Sequence, residues 1–223
     1  MGTDSRIRAV RKYLTFGVLV TMAGLVRRGI SRVKADRAVL FVCDIQDRFR
    51  PLIHNMETVI NQTKFLSEVS DVMGIPTVVT EQYPKAFGKT CSDLNLEGKP
   101  CFEKKQFSMM TDEVTEHFKS LGRDQVIMCG IEGHVCVMQT VLDLLEQDVE
   151  VHLVTDAISS QRPNDRSMAL ERMRDSGATL STMESTVFEL LRSAAHPDFR
   201  TISGKLKDHL GGVPNDFTNQ ATL

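Results

Sequence analysis

Three side chains of different chemistry stand out: one where the pattern of this chain ends a strand, one where it begins a helix, and one just after a loop region. Cys136 lies in Gly130-Ile131-Glu132-Gly133-His134-Val135-Cys136, just inside a predicted helix N-terminus. Unpaired amides and the helix dipole at such a place stabilise a thiolate. The same amides can hold the oxyanion formed when sulfur adds to a carbonyl. Asp44 directly follows an apolar run, in Cys43-Asp44-Ile45-Gln46-Asp47-Arg48-Phe49, where a carboxylate can take a proton from a thiol or a water. Lys104, in Glu103-Lys104-Lys105-Gln106-Phe107-Ser108, can support a thiolate electrostatically. Each has a plainer reading as well: a buried structural thiol, a capping or loop aspartate, a solvated surface lysine. Spacing alone leaves both open.

Other chemistries find less support. The six histidines (His54, His117, His134, His152, His196, His209) form no HExxH or comparable ligand spacing, so no metal site is expected. His134, two positions before Cys136, is a candidate pocket residue or an ordinary core or surface histidine. Neither GxGxxG nor GxxxxGK[ST] occurs, which weakens a nucleotide-binding reading, and no cofactor is expected. The cysteines are five in number and form no CxxC pair. Cys43 and Cys129 sit inside apolar runs and read as small buried hydrophobes. Neither a disulfide framework nor a thiol-rich zinc site is indicated, and a reducing compartment fits.

These residues need elements to position them, and from residue 37 onward short apolar runs alternate with helix-length stretches. Residues 37–43, 75–80, 125–129, 150–155 and 178–182 read as strands. Helices are predicted over 57–73, ended by Gly74; over 111–121, capped by Thr111 and stopped by Gly122; over 134–147; over 164–176, closed by Gly177; and over 184–191. Residues 84–103, rich in Pro, Gly, Lys and Ser, read as a loop region, and the chain after His196 as peripheral. Strands separated by helices imply right-handed crossovers and a parallel sheet, hence an α/β fold. Such sheets place chemistry at the carboxyl ends of their strands. Asp44, Glu81, the turn from Gly130 to Cys136, and Asp156 occupy those ends here.

The division expected is a basic and apolar extension over 1–35, one domain over 36–200 and a tail over 201–223. The 223 residues, 41% of them hydrophobic, suit one globular core. Residues 1–34 hold 8 of the 27 basic residues but 1 of the 29 acidic ones, leaving 19 basic against 28 acidic in the remainder. A domain of that balance repels phosphates, so no nucleic-acid partner is expected. Tyr13–Val26 is apolar, flanked by basic residues, and too short for an ordinary membrane-spanning helix. A mitochondrial presequence, a secretory signal without a clear cleavage site, a membrane-surface helix and a variable extension all remain open for it. Arg6 stands where a myristoylation pattern needs Ser or Thr. A cytoplasmic or mitochondrial location follows, with membrane contact only through this segment.

Taken in order, Asp44-x-Gln46-x-x-Phe49 after a strand, Lys104-x-x-Phe107-Ser108, and Gly130-Ile131-x-x-x-x-Cys136 resemble the isochorismatase-like cysteine hydrolases. The likeness spans about residues 37–195. It is nearest to the eukaryotic isochorismatase domain-containing proteins, through Thr80-Glu81-Gln82-Tyr83-Pro84, Cys129-Gly130-Ile131-Glu132, Thr155-Asp156-Ala157 and Ser176-Gly177-Ala178-Thr179-Leu180-Ser181-Thr182.

The resemblance implies a doubly wound, mostly parallel sheet of about six strands with helices on both faces, a Rossmann-like three-layer arrangement. It implies an Asp-Lys-Cys triad with Asp44 as base, Lys104 as cation and Cys136 as nucleophile. It further implies a cis peptide between Ile131 and Glu132, turning the Glu132 amide toward the oxyanion beside that of Cys136. Phe49, Glu81, Gln82, Tyr83 and His134 are the expected pocket residues, and a homo-oligomer is expected by the same analogy. Nicotinamidases carry an aspartate and histidines for a metal after the second strand, whereas Thr80 to Gly88 here contains no histidine. Neither a metal nor nicotinamide therefore carries over. The retained Cys136 implies attack on an acyl or amide carbon of a small molecule, through a thioester. A non-catalytic or regulatory protein-binding member of the same fold is the alternative, and a flavin or nucleotide carrier ranks last.

Overall fold

A computed structural model describes residues 30–210; residues 1–29, with the Tyr13–Val26 segment, and residues 211–223 lie outside the described residues. Strands β1 (Ala38–Cys43), β2 (Thr77–Gln82) and β4 (Gln125–Gly130) are buried at every position. Near-continuous apolar runs of this kind occur where both faces of a strand are covered. The remaining strands are β3 (Cys101–Lys104), β5 (Glu150–Ile158) and β6 (Thr179–Ser181). All pairings are parallel, and the spatial order is β3-β2-β1-β4-β5-β6. The sheet thus reverses direction of growth between β1 and β4. In open parallel sheets the crevice beyond the carboxyl ends of two such strands is the place for a ligand.

Among the described residues, six helices longer than a single turn flank the sheet: α1 (Met56–Met73), α2 (Asp112–Ser120), α3 (Met138–Glu146), α4 (Pro163–Ser176), α5 (Met183–Leu191) and α6 (Phe199–Leu210). Their ends follow local chemistry. Gly74 closes α1 in the left-handed conformation, its amide bonding to the Asp71 and Ser70 carbonyls. The side chains of Thr111 and Thr182 cap α2 and α5 by accepting from the amides of Val114 and Ser185. Alternate strand residues feed two cores. Leu40, Val42 and Ile127 pack with α1, α5 and α6, whereas Val39, Phe41 and Met128 pack with α2, α3 and α4. Three layers result. Among the described residues no helix is long and apolar enough to cross a membrane.

The structure corrects the sequence reading at several places. The stretch 84–103 contains most of β3 and a helical turn, Pro84–Phe87. An edge strand four residues long with alternating exposed positions has no apolar run to reveal it. Nor does the domain stop at residue 200 with a peripheral tail: α6 runs on to residue 210, with Ile202 and Leu206 buried in the α1-side core. Those two apolar residues, spaced by four on an otherwise polar stretch, lie on one helix face. The stretch 134–147 is not one regular helix either. Gly133–Val137 forms a π-helical turn, and α3 follows it.

Candidate active site

The crevice between β1 and β4 is built from the residues that follow those strands. Cys43 and Gly130 are register partners, as are Cys43 and Thr80, so β1 and β4 end at one level and β2 runs two residues further. Asp44, the next residue, takes a left-handed backbone (φ 54°) and is buried. That bend, tolerated by aspartate better than by most residues, turns its side chain across the strand ends. Gln82 and Lys104 are partners at the ends of β2 and β3, which brings a lysine sixty residues away in sequence onto the same carboxylate.

Lys104 Nζ donates to Asp44 Oδ2 at 2.7 Å, to Gln82 Oε1 at 2.7 Å and to the Phe107 carbonyl at 2.7 Å, with the Gln106 carbonyl at 3.3 Å. The side chains of the pair are 0% and 2% exposed. A buried ion pair survives desolvation only when its remaining hydrogen-bonding capacity is met, and here the ammonium has an acceptor for each proton. The other carboxylate oxygen, Asp44 Oδ1, accepts from the Thr80 hydroxyl at 2.8 Å. Burial alone would lower the pKa of Lys104. The negative charge available on Cys43, Asp44 and Cys136 outweighs it and holds the group above the ordinary lysine value.

Cys136 lies inside the π-helical turn, 6% exposed, and its side chain shares an apolar cluster with Cys43. Insertions of this kind are frequent at functional sites. The turn follows two backbone reversals, Gly130 (φ 149°) and Glu132 (φ 51°, ψ 57°). The peptide bond from Ile131 to Glu132 is trans, which corrects the expectation of a cis bond. A left-handed residue reverses the chain at a cost of about 1–2 kcal/mol, below the about 3–4 kcal/mol of a non-proline cis bond.

The expected pocket residues divide. Gln82 joins the network directly: its Oε1 faces Lys104, its Nε2 donates to the Lys105 carbonyl, and its amide donates to Gln46 Oε1. Gln46 in turn donates to the Gln82 and Gly88 carbonyls, which secures the strand end. Tyr83 is 43% exposed and lines a cleft of about 320 Å³ with Lys104, Lys105 and Lys85; Lys105 Nζ lies 5.8 Å from its ring centre. Glu81 does not reach the site. Strand alternation sends it to the opposite face from Thr80 and Gln82, where it accepts from Thr90 and Lys89.

Phe49 is core rather than pocket wall, stacked on Phe87 with ring centres 4.7 Å apart in the α1-side cluster. His134 turns toward the segment after β5, with Nδ1 3.2 Å from Ser160 Oγ and 3.3 Å from Glu132 Oε2. Asp156 accepts from the amide of Met183, the first residue of α5. Burial raises its pKa above the usual aspartate value.

Sequence reasoning missed three contributors. Thr80 orients Asp44, the Thr140 hydroxyl holds the Cys136 carbonyl at 2.7 Å, and the Cys43 thiol donates to Asp44 Oδ2 at 3.6 Å. The signal for Thr80 was available in hindsight, since the residue level with the last residue of a neighbouring strand sits beside that strand's end. Among the described residues no group of three His, Cys, Asp or Glu side chains is placed to hold a metal ion. What the arrangement offers is a buried carboxylate–ammonium pair at the strand ends, a thiol near enough to act on the ammonium electrostatically, and a helix start beside that thiol.

An isochorismatase domain model matches residues 38–185. Isochorismatase domain-containing protein 2 of Danio rerio is 43% identical over 182 residues, covering 81% of this chain and 92% of that protein. The structure described as MAR1 ribonuclease from Caenorhabditis elegans superposes with a TM-score of 0.77 at 37% identity, over 83% of this chain and 95% of that one. The YcaC gene product of Escherichia coli, described as an octameric hydrolase of unknown specificity, gives a TM-score of 0.71 at 21% identity, over 81% and 98% of the two chains. At that identity the likeness concerns the fold.

Proposed function

The chain belongs to the isochorismatase family, and from that premise we propose that it is a cysteine hydrolase of a small amide or related C–N carbonyl compound. The observation that supports the reading is the buried Asp44–Lys104 pair, with Cys136 among the groups that raise the Lys104 pKa.

Asp44 takes the Cys136 proton, and Lys104 offsets the charge that then resides on sulfur. The thiolate adds to the carbonyl carbon. Backbone amides around Glu132 and Cys136, at a helix start where i−4 carbonyl partners are lacking, hold the tetrahedral oxyanion. Asp44 returns the proton to the departing amine, leaving a thioester on Cys136. Water, deprotonated by Asp44, attacks the thioester and releases the acid. Lys104 stays protonated throughout, since its neighbours hold its pKa above the ordinary value. Thr80 and Gln82 keep the carboxylate and ammonium in register and touch no substrate in this scheme.

The test is reactivity at Cys136. Iodoacetamide at pH 6 should label Cys136 first among the five cysteines, faster than a free thiol of ordinary pKa. A small amide hydrolysed by the protein should accumulate as an adduct on Cys136 and be spared by Cys136→Ala. Uniform, slow labelling would sink the reading. The ribonuclease description of the nematode structure suggests phosphodiester chemistry instead. The 19 basic against 28 acidic residues after residue 34 disfavour it, and an RNA substrate cleaved equally by Cys136→Ala would restore it.

A homo-oligomer is part of the same proposal, supported by the octamer described for the bacterial protein of this fold; light scattering on the eluting protein tests it. A cytoplasmic or mitochondrial address is proposed from the composition of the first 34 residues alone. Imaging the whole chain against one starting at residue 30 tests that.

A further inference from the structure

One buried nucleophile takes no part in the scheme above. Cys43 ends β1, is fully buried, and lies in the same cluster as Cys136. Its thiol donates to Asp44 Oδ2 at 3.6 Å, and the Cys136 side chain is near enough to help raise its pKa. The space it occupies is kept open by its register partner Gly130. A Cβ built there would stand 2.5 Å from Cys43 Cβ. A second thiol has thus been packed against the first, beside the carboxylate that handles protons. The other cysteines differ in setting: Cys129 donates to the Phe41 carbonyl at 3.3 Å, and Cys91 and Cys101 line a separate cleft behind β2.

We propose that Cys43 is the resolving thiol for an oxidised Cys136, so that hydroperoxides convert the pair into a Cys43–Cys136 disulfide and the nucleophile is protected from irreversible loss. The inference rests on the reading of Cys136 as a reactive thiolate. In the first step that thiolate attacks one oxygen of a hydroperoxide. An S–O bond forms, the O–O bond breaks, and the departing alkoxide (hydroxide, for hydrogen peroxide) takes the proton that Asp44 had removed from Cys136, leaving as the alcohol or water. Cys136 is now a sulfenic acid.

In the second step Asp44 takes the Cys43 proton across the 3.6 Å contact. The Cys43 sulfur attacks the sulfenic sulfur, an S–S bond forms and the S–O bond breaks. The departing hydroxide takes the proton from Asp44 as water. Two thiols and one hydroperoxide give one disulfide, one water and the reduced peroxide product, and a dithiol reverses the change. Burial, above all, raises the Cys43 pKa, and Cys136, the more exposed of the two, is oxidised first. The two thiols belong to one packed cluster, and a bridge between them requires their Cα atoms to stand within about 7 Å.

The experiment treats the reduced, full-length protein with hydrogen peroxide, blocks remaining thiols with N-ethylmaleimide under denaturing conditions, and maps peptides by mass. Wild type should lose two of its five thiols and yield a cross-linked Cys43–Cys136 peptide, both reversed by dithiothreitol. In Cys43→Ala, Cys136 should instead appear as sulfinic or sulfonic acid that dithiothreitol does not restore. If Cys43→Ala fails to fold, Cys43→Ser serves, and the wild-type cross-link decides in either case.

Over-oxidised Cys136 with free Cys43 in wild type, or a disulfide confined to other cysteines, overturns the proposal. If iodoacetamide selects Cys136 yet no cross-link forms, this inference alone fails. If the cross-link forms but no amide is hydrolysed, the hydrolase reading alone fails. If Cys136 resists both reagents, both fall.

Discussion

The Thr140 hydroxyl donates to the Cys136 carbonyl at 2.7 Å and accepts from the Met109 amide at 2.8 Å. One buried group thereby clamps the turn bearing Cys136 to the loop after β3, whose Phe107 carbonyl holds Lys104. Thr140→Val keeps the shape and deletes the clamp, leaving the Met109 amide without an acceptor. A buried donor so orphaned costs about 1–3 kcal/mol. The urea midpoint should fall accordingly, and Thr140→Ser should recover most of the loss. A valine variant as stable as wild type would remove the clamp from the account.

Lys104→Met should destabilise the chain by about 3–5 kcal/mol, because it strands the Asp44 carboxylate in a buried place without its counter-charge. Lys104→Arg should not recover it. A planar fork does not match three acceptors arranged around a single ammonium nitrogen. Chemical denaturation measures the first effect. The rate of Cys136 alkylation measures the second, and should drop in both variants. Unchanged midpoints would mean that the pair contributes nothing to the fold.

Gly130→Ala should be poorly tolerated. The added Cβ would lie 2.5 Å from both Cys43 Cβ and the Cys43 carbonyl oxygen, at a backbone φ of 149°. Backbone strain of about 1–3 kcal/mol adds to about 1–3 kcal/mol of overpacking. The soluble yield and thermal midpoint of Gly130→Ala should fall well below those of Gly204→Ala, where a Cβ meets nothing within 4 Å. Equal behaviour of the two would contradict the close approach of β1 and β4.

Acid should weaken the protein partly through His152. Burial lowers its pKa below the ordinary histidine value, with Arg37 acting in the same direction. The unfolded chain therefore binds the proton more readily. Stability from this group is complete above about pH 6.5 and is lost as pH falls through that value toward the lower folded one. His152→Gln should flatten the stability-against-pH curve in that window relative to wild type. Parallel curves for the two proteins would assign the acid sensitivity elsewhere.

The central strands were legible in the sequence because burial on both faces leaves unbroken apolar runs, as in Ala38–Cys43 and Gln125–Gly130. Helix ends were legible where chemistry is local, at Gly74 and Thr111. Strand β3 escaped because an edge strand is selected by its neighbour rather than by its own pattern, and α6 escaped because its core packing falls on a few apolar residues, Phe199, Ile202 and Leu206, among polar ones. Glu81 was assigned to the site by its place at a strand end, without regard to alternation. Thr80, one residue earlier and on the correct face, bonds Asp44.

Residue type and order alone determined that this chain is an alternating α/β protein, with Asp44 set where a strand ends and Cys136 where a helix begins. Local preferences and burial periodicity are properties of neighbours along the chain, so they are written there. Only the tertiary structure decided that Lys104 meets Asp44, that Thr80 and Gln82 hold them, and that Cys43 and Cys136 share one core. Those residues lie far apart in the chain. They come together because parallel pairing of β3, β2, β1 and β4 brings the strand ends to one edge of the sheet, a constraint no single segment contains.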